Sequence, residues 1–301
     1  MNTKVKKILW PVVLLRRKYD DYLRKTNPEK LFSIYYKRAT GEYLNIDEPK
    51  TLDDKIAYME FRTDTTEWSR LADKVRVREY VEECGFGENL TRLYGVWEKG
   101  ADVDFDSLPK AFVIKTNNGS ATNILVKDKS KADIEAIRKQ LDKWLSIDYG
   151  YQTAQPHYSH MKPLILAEEF LVDEETQKAG KVLNDYKFYC VNGKPMYVQV
   201  MCDRVPNTHE MKLQLYDMDW KARPEYLSKV HEIVKEEIPA PISFRLMKEM
   251  AAKLSSSFPF VRVDFYEING KPIFGEMTFT PGFDTITMEF RQMLGKEIKL
   301  K

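Results

Sequence analysis

The stretch FVRVDFYEINGKPIFGEMTFTPGFD, Phe260 to Asp284, decides how this chain folds. Two β-rich runs meet at Asn269-Gly270, and an Asn-Gly pair between apolar runs is a strong hairpin signal. Arg262 and Asp264 alternate with apolar residues along the first run, as Glu276 and Thr278 do along the second. Residues two apart on a strand share a face, so the hairpin gathers these four polar groups on one side of a sheet. One acid from each strand beside a neutral oxygen suits a hard cation such as magnesium. From these residues alone, a solvated sheet face with an Arg262 salt bridge reads as well. The Pro281-Gly282 turn directly after them favours a ligand, because its backbone N–H groups sit at the sheet end.

Working outward, DYKFYCVNGKPMYVQVMCDR (Asp185 to Arg204) repeats the hairpin signal at Asn192-Gly193. ILAEEFL (Ile165 to Leu171) is an apolar strand ending in paired acids; an adenine can pair with the backbone of such an edge while a nearby acid holds the ribose, although the pattern alone is a weak signal. FVIKTNNGSATNILVKD (Phe112 to Asp128) reads as a strand ending in Lys115, a small polar turn, and a returning strand. Such a turn brings backbone N–H groups close to an anion and the lysine adds a point charge, which suits a nucleotide triphosphate. Taken alone it closes an ordinary hairpin as well, and it lacks the P-loop pattern. Helices are predicted over LFSIYYKRATG, TLDDKIAYMEF with Thr51 as cap, SRLADKVRVREYVEECG ending on Gly85, residues 130–146 with Ser130 as cap, and ISFRLMKEMAAKLSSS. Helices and strands mix irregularly, so the fold class is α+β with antiparallel sheets.

With 301 residues, 43% hydrophobic and 31% charged, the chain buries a real core and is neither disordered nor fibrous. No apolar run reaches the roughly 18 residues of a membrane span. Cys84, Cys190 and Cys202 are odd in number, lack metal spacing and have no base partner, so a reducing, cytoplasmic setting without disulfides is expected. His157 and His160 lie in a turn-rich connector without a third ligand and read as loop residues.

The net charge of +2 hides an asymmetry: residues 1–38 hold eleven Lys and Arg against three acids, and the remainder holds 37 against 43. An acidic body argues against nucleic acid as a partner. Within residues 1–18, MNTKVKKILWPVVLLRRK, a short apolar stretch lies between basic flanks. It lacks a signal-peptide cleavage site, and reads as a helix packed on the body or as a peripheral contact with the inner membrane surface.

Taken in order, LADKVRVREYV, FVIKTNNGSATN, ILAEEFL, NDYKFYCVNGKPMYVQVMCDR and FVRVDFYEINGKPIFGEMTFTPG resemble an ATP-grasp protein, and in particular its TupA-like branch, associated with teichuronopeptide and other surface-polysaccharide synthesis. The resemblance spans roughly residues 28 to 290 and implies two α+β subdomains that clamp ATP between antiparallel sheets. It divides the chain into an arm (1–27), a reduced, mainly helical N-terminal region (28–110), a small subdomain with phosphate loop and hinge (111–171) and a C-terminal subdomain with metal and catalytic residues (172–301). By resemblance, Lys74 and Lys115 contact ATP, and Asn118, Gly119 and Ser120 belong to the loop over its phosphates. Glu168, Glu169, Phe170 and Leu171 form the adenine hinge, and Asp173, Glu174 or Glu175 holds the ribose. Asp185, Lys187 and Arg204 resemble the aspartate, basic residue and distal arginine of glutamate-adding ATP-grasp ligases, where the basic groups attend phosphate and substrate carboxylate, with a salt-bridged strand pair as the other reading. Arg262 stabilises the acyl-phosphate, and Asp264 and Glu276 hold magnesium. Thr278 stands where most ATP-grasp enzymes carry Asn, which leaves its part as a ligand open.

The implied activity is an ATP- and magnesium-dependent carboxylate-amine ligase acting on a small-molecule or glycan carboxylate and an amine. A sugar kinase or phosphotransferase on the same nucleotide site and a non-catalytic adaptor in polysaccharide assembly are the rivals. The paired acids Asp264 and Glu276 speak against the adaptor.

Overall fold

The computed structural model describes residues 3–173, 182–204 and 210–300. The chain opens with helices α1 (Thr3–Thr26), α2 (Pro28–Thr40) and α3 (Leu52–Arg62). The Asn27 side chain caps α2 by accepting from the Lys30 N–H, and Thr51 with Asp54 forms a reciprocal capping box on α3. No helix among the described residues is long and apolar enough to cross a membrane.

The sequence predicts one helix over residues 69–85; the structure makes two, α4 (Thr66–Ala72) and α5 (Val77–Glu83). Asp73 causes the break: its buried carboxylate accepts from the Val75 and Arg76 N–H groups, which competes with helical hydrogen bonding. The turn that results carries Lys74.

Strand β1 (Leu93–Trp97) pairs with β4 (Ile165–Glu169), which pairs with β2 (Phe112–Thr116), and β3 (Asn123–Val126) closes a four-stranded antiparallel sheet. Since β1 is an edge of this sheet, the sheet begins before residue 111. Helix α6 (Ile134–Leu145) is capped by Asp133, three residues later than the predicted Ser130 cap, because Ser130 lies in a short 3-10 turn. Phe112, Ile114, Ile165 and Ala167 share a buried cluster with Ile137 and Leu141 of α6, which leaves Lys115 and Glu168 on the opposite face. The short helices α7 (Tyr149–Thr153) and α8 (Pro156–Ser159) follow α6.

The second sheet runs β10-β9-β5-β6-β7-β8, built from β5 (Asp185–Val191), β6 (Lys194–Cys202), β7 (Lys212–Asp217), β8 (Glu232–Ile233), β9 (Phe260–Ile268) and β10 (Lys271–Thr278). Only β7 and β8 run parallel among the described strand pairs. Both predicted Asn-Gly hairpins are present, with positive φ at Asn192, Gly193, Asn269 and Gly270. Helix α9 (Phe244–Ser255) covers one face, with Phe244 against Phe188 and the Ala251 carbonyl near the Cys190 sulfur. On the other face α10 (Met288–Glu297) covers Tyr189 and Tyr197 through Phe290. Beyond α10 that second face becomes polar.

Candidate active site

The polar face is set by strand register. Lys187 opposes Asp264, Asp264 opposes Glu276, and Arg262 opposes Thr278. Three neighbouring strands therefore place a lysine, an arginine, two acids and a threonine side by side. A register shift between Phe274 and Glu276 bulges β10 beside Asp264.

Asp264 is the hub. Arg262 donates to both its oxygens at 2.7 Å, and the Lys187 ammonium sits 2.5 Å from Oδ2. Lys187 also lies 2.8 Å from Asp185 Oδ2, which Arg204 approaches at 3.6 Å. Arg262 continues to Thr278 Oγ1 at 3.1 Å and Glu276 Oε1 at 3.5 Å, and the Thr278 hydroxyl donates to Glu276 at 3.2 Å. Burial raises the energy of the charges on Asp264, Lys187, Arg262 and Asp185, but mutual pairing outweighs it for the first three. The carboxyl of Asp264 is held low by Arg262 and Lys187 against that desolvation. Desolvation likewise opposes the charges on Lys187 and Arg262, yet their acidic neighbours raise both. Asp185 is the exception, since desolvation prevails and pushes its carboxyl up.

The small sheet supplies the opposing cations. Lys115 meets Glu168 at 2.5 Å, and Lys74 donates to the Gly119 carbonyl at 2.7 Å. Burial lowers the Lys74 ammonium, which lies in electrostatic range of Glu276, Lys115 and Glu168. Lys74 thus ties the Gly119 turn of the small sheet to the acids of the large one. Gly119 is packed against the Tyr149 ring, where an added Cβ would sit 3.2 Å from a ring carbon.

The structure therefore brings together Lys74, Lys115, Gly119, Glu168, Lys187, Arg204, Arg262, Asp264, Glu276 and Thr278. It does not bring Asn118, whose amide is turned to the Ile147 carbonyl at 3.3 Å. Its neighbour Asn117 is buried and anchors the loop, donating to Asp73 and Lys162 and accepting from the Leu164 N–H. The Glu169 side chain is exposed, β4 ends before Phe170 and Leu171, and Asp173 lies beyond it. Glu174 and Glu175 fall outside the described residues.

Sequence reasoning missed Tyr149, which hydrogen-bonds Ser120, and Tyr158, a half-buried neighbour of Glu276 and Arg262. It also missed Arg78, which donates to the Thr91 carbonyl at 2.6 Å, and Tyr266, whose phenol bonds Arg204 and is pushed up to about 12 by Asp185 and burial. Only Tyr266 carried a signal: it continues the period-two series Arg262, Asp264.

Among the described residues no group of three or more His, Cys, Asp or Glu is placed to hold a metal. Magnesium asks less of a protein when phosphates and water fill its shell, one or two carboxylates being enough. Asp264 and Glu276, in register on adjacent strands with Glu276 partly exposed, meet that requirement.

A family model described as TupA-like ATPgrasp matches residues 54–299. The chain belongs to the TupA-like ATP-grasp family. A comparison with curated proteins gave no match. Solved structures similar to this TupA-like chain include a D-alanine–D-alanine ligase from Bacillus anthracis, 16% identical with a TM-score of 0.44, over 71% of this chain and 58% of that one. An L-amino acid ligase from Bacillus licheniformis is 15% identical with a TM-score of 0.46, over 73% and 45%. A D-alanine–D-alanine ligase from Helicobacter pylori is 13% identical with a TM-score of 0.43, over 83% and 67%. The TupA-like chain thus spans about half to two thirds of the length of these structures.

Proposed function

We propose that the protein is an ATP- and magnesium-dependent carboxylate-amine ligase whose carboxylate belongs to a uronic acid or amino acid of a surface polysaccharide or its precursor. The observation that carries this reading is the convergence of Lys74 and Lys115 from one sheet with Lys187, Arg262, Asp264 and Glu276 from the other. A carboxylate is a poor electrophile; taking the γ-phosphoryl group of ATP makes it an acyl-phosphate, and an amine then displaces phosphate to give the amide. That route needs charge neutralisation and alignment more than covalent help.

Lys115 and Lys74 would bind the phosphates from the small sheet, with the Gly119–Ser120 turn above them. Asp264 and Glu276 would hold magnesium, which neutralises phosphate charge when bound. Arg262 and Lys187 stay charged through their acidic partners, so both are ready to stabilise charge on the transferred group. Arg204, half-exposed just beyond β6, would meet the substrate carboxylate. Residues 1–18 would hold the enzyme against the anionic inner surface of the membrane; cosedimentation with anionic liposomes should be lost when they are deleted.

The deciding experiment combines protein, ATP, magnesium and hydroxylamine with glucuronate, galacturonate and glutamate. Hydroxamate formation supports the acyl-phosphate. Its absence together with phosphorylation of a sugar hydroxyl would sink the ligase reading in favour of a kinase.

A further inference from the structure

Folded proteins pair nearly all their buried polar atoms. Among the described residues four buried side-chain atoms have no hydrogen-bond partner: His157 Nε2, Asp185 Oδ1, Gln199 Nε2 and Thr280 Oγ1. Asp185 and Gln199 are diagonal neighbours on β5 and β6, since Lys187 opposes Gln199 and Asp185 precedes Lys187 by two. Diagonal positions lie about 7–8 Å apart and share a face. On the polar face the unpartnered donor therefore lies beside Lys187 on the side away from Asp264, and the unpartnered acceptor lies on Lys187's own strand two residues before it.

Each atom is held where it is. Asp185 Oδ2 is committed to Lys187 and Arg204, which leaves Oδ1 for something else. The Tyr189 hydroxyl donates to Gln199 Oε1 at 3.5 Å, which directs Nε2 elsewhere. Gln199 is 1% exposed, so water is not its ordinary partner. An amide kept buried and half satisfied on the strand next to Lys187 has the character of a ligand contact.

We propose that Asp185 and Gln199 form the subsite for the amine substrate, and that this substrate carries an oxygen acceptor on a carbon adjacent to the one that bears its nitrogen. Asp185 Oδ1 receives an N–H of the amine and Gln199 Nε2 donates to the neighbouring oxygen. Amino acids and 2-amino sugars both have this arrangement; simple alkylamines do not. The subsite rests on the ligase reading above, because it presumes an amine delivered beside the Lys187 phosphate site.

Ligand-observed NMR on the protein with AMP-PNP and magnesium tests it, using L-alanine, L-glutamate, glucosamine, n-butylamine, N-acetylalanine and N-acetylglucosamine. At least one of the first three should bind about tenfold tighter than n-butylamine and than its N-acetyl form. Gln199→Leu should erase that preference while AMP-PNP affinity shows the fold intact. No preference in the native protein, equal binding of the N-acetyl compounds, or a preference that survives Gln199→Leu would overturn the proposal. Alanine against glucosamine separates the two sources of the ligand. A protein that shows the preference but forms no hydroxamate keeps the subsite and loses the ligase.

Discussion

Asp264 and Glu276 stand opposite one another, yet their surroundings differ. Asp264 is buried between Arg262 and Lys187, whereas the Glu276 side chain is 40% exposed. Both Asp264→Asn and Glu276→Gln should raise the magnesium needed for half-maximal turnover by at least about tenfold. Only the first should also weaken the fold, by about 3 kcal/mol, because it leaves two buried cations short of a counter-charge; thermal unfolding of the two variants checks this. Lys74 offers a pH signature. Burial lowers its ammonium, so it loses its charge at lower pH than an ordinary lysine, and AMP-PNP affinity should weaken as pH rises toward that range. Lys74→Arg should remove that alkaline decline, since a guanidinium stays charged throughout. Gln199→Leu should leave stability within about 1 kcal/mol of the native protein, because loss of the unpaired Nε2 offsets the Tyr189 hydroxyl left without its acceptor, while it weakens amine binding.

Between elements, the decisive joints are small. Asp73 ends α4, starts the turn of Lys74 and accepts from Asn117 of the turn after β2. Asp73→Ala should cost about 1–3 kcal/mol and lower nucleotide affinity together, as one buried acceptor serves both. The amphipathic and period-two patterns that define most helices and strands are local, and so they are readable; this break was not, because Asp73 is helical by pattern and becomes a cap only when Asn117 and burial hold it. At the N-terminus, Arg38 of α2 grips Asp20 of α1 through two bonds of 2.8 and 2.9 Å. The Arg38 hydrogen bond, against desolvation, holds the Asp20 carboxyl below its ordinary value. The pair's contribution is therefore present above the ordinary Asp range and lost as pH falls through the lowered one. Acid should loosen α1 from α2, detectable as faster proteolysis within α1, and Arg38→Ala should abolish that pH dependence.

At the scale of the whole molecule, the charge asymmetry resolves into two arrangements. The basic surplus of residues 1–38 lies on α1 and α2, whereas the site's cations are paired with acids across strands from two sheets. The sequence by itself determined β2 to β6, β9 and β10 but not β7 or β8, together with both Asn-Gly hairpins and the alternation that lines up Arg262, Asp264, Glu276 and Thr278, because each of these follows from the period of a single element. Those residues, with Lys115 and Lys187, were legible through their spacing and through the resemblance they share. Only the tertiary structure decided which groups meet across elements: Lys74 with Gly119, Tyr149 with Ser120, Tyr266 with Arg204, and one atom each of Asp185 and Gln199 left without a partner. Pairing and burial depend on residues far apart in the chain, and no local period encodes whether a buried polar atom finds a partner.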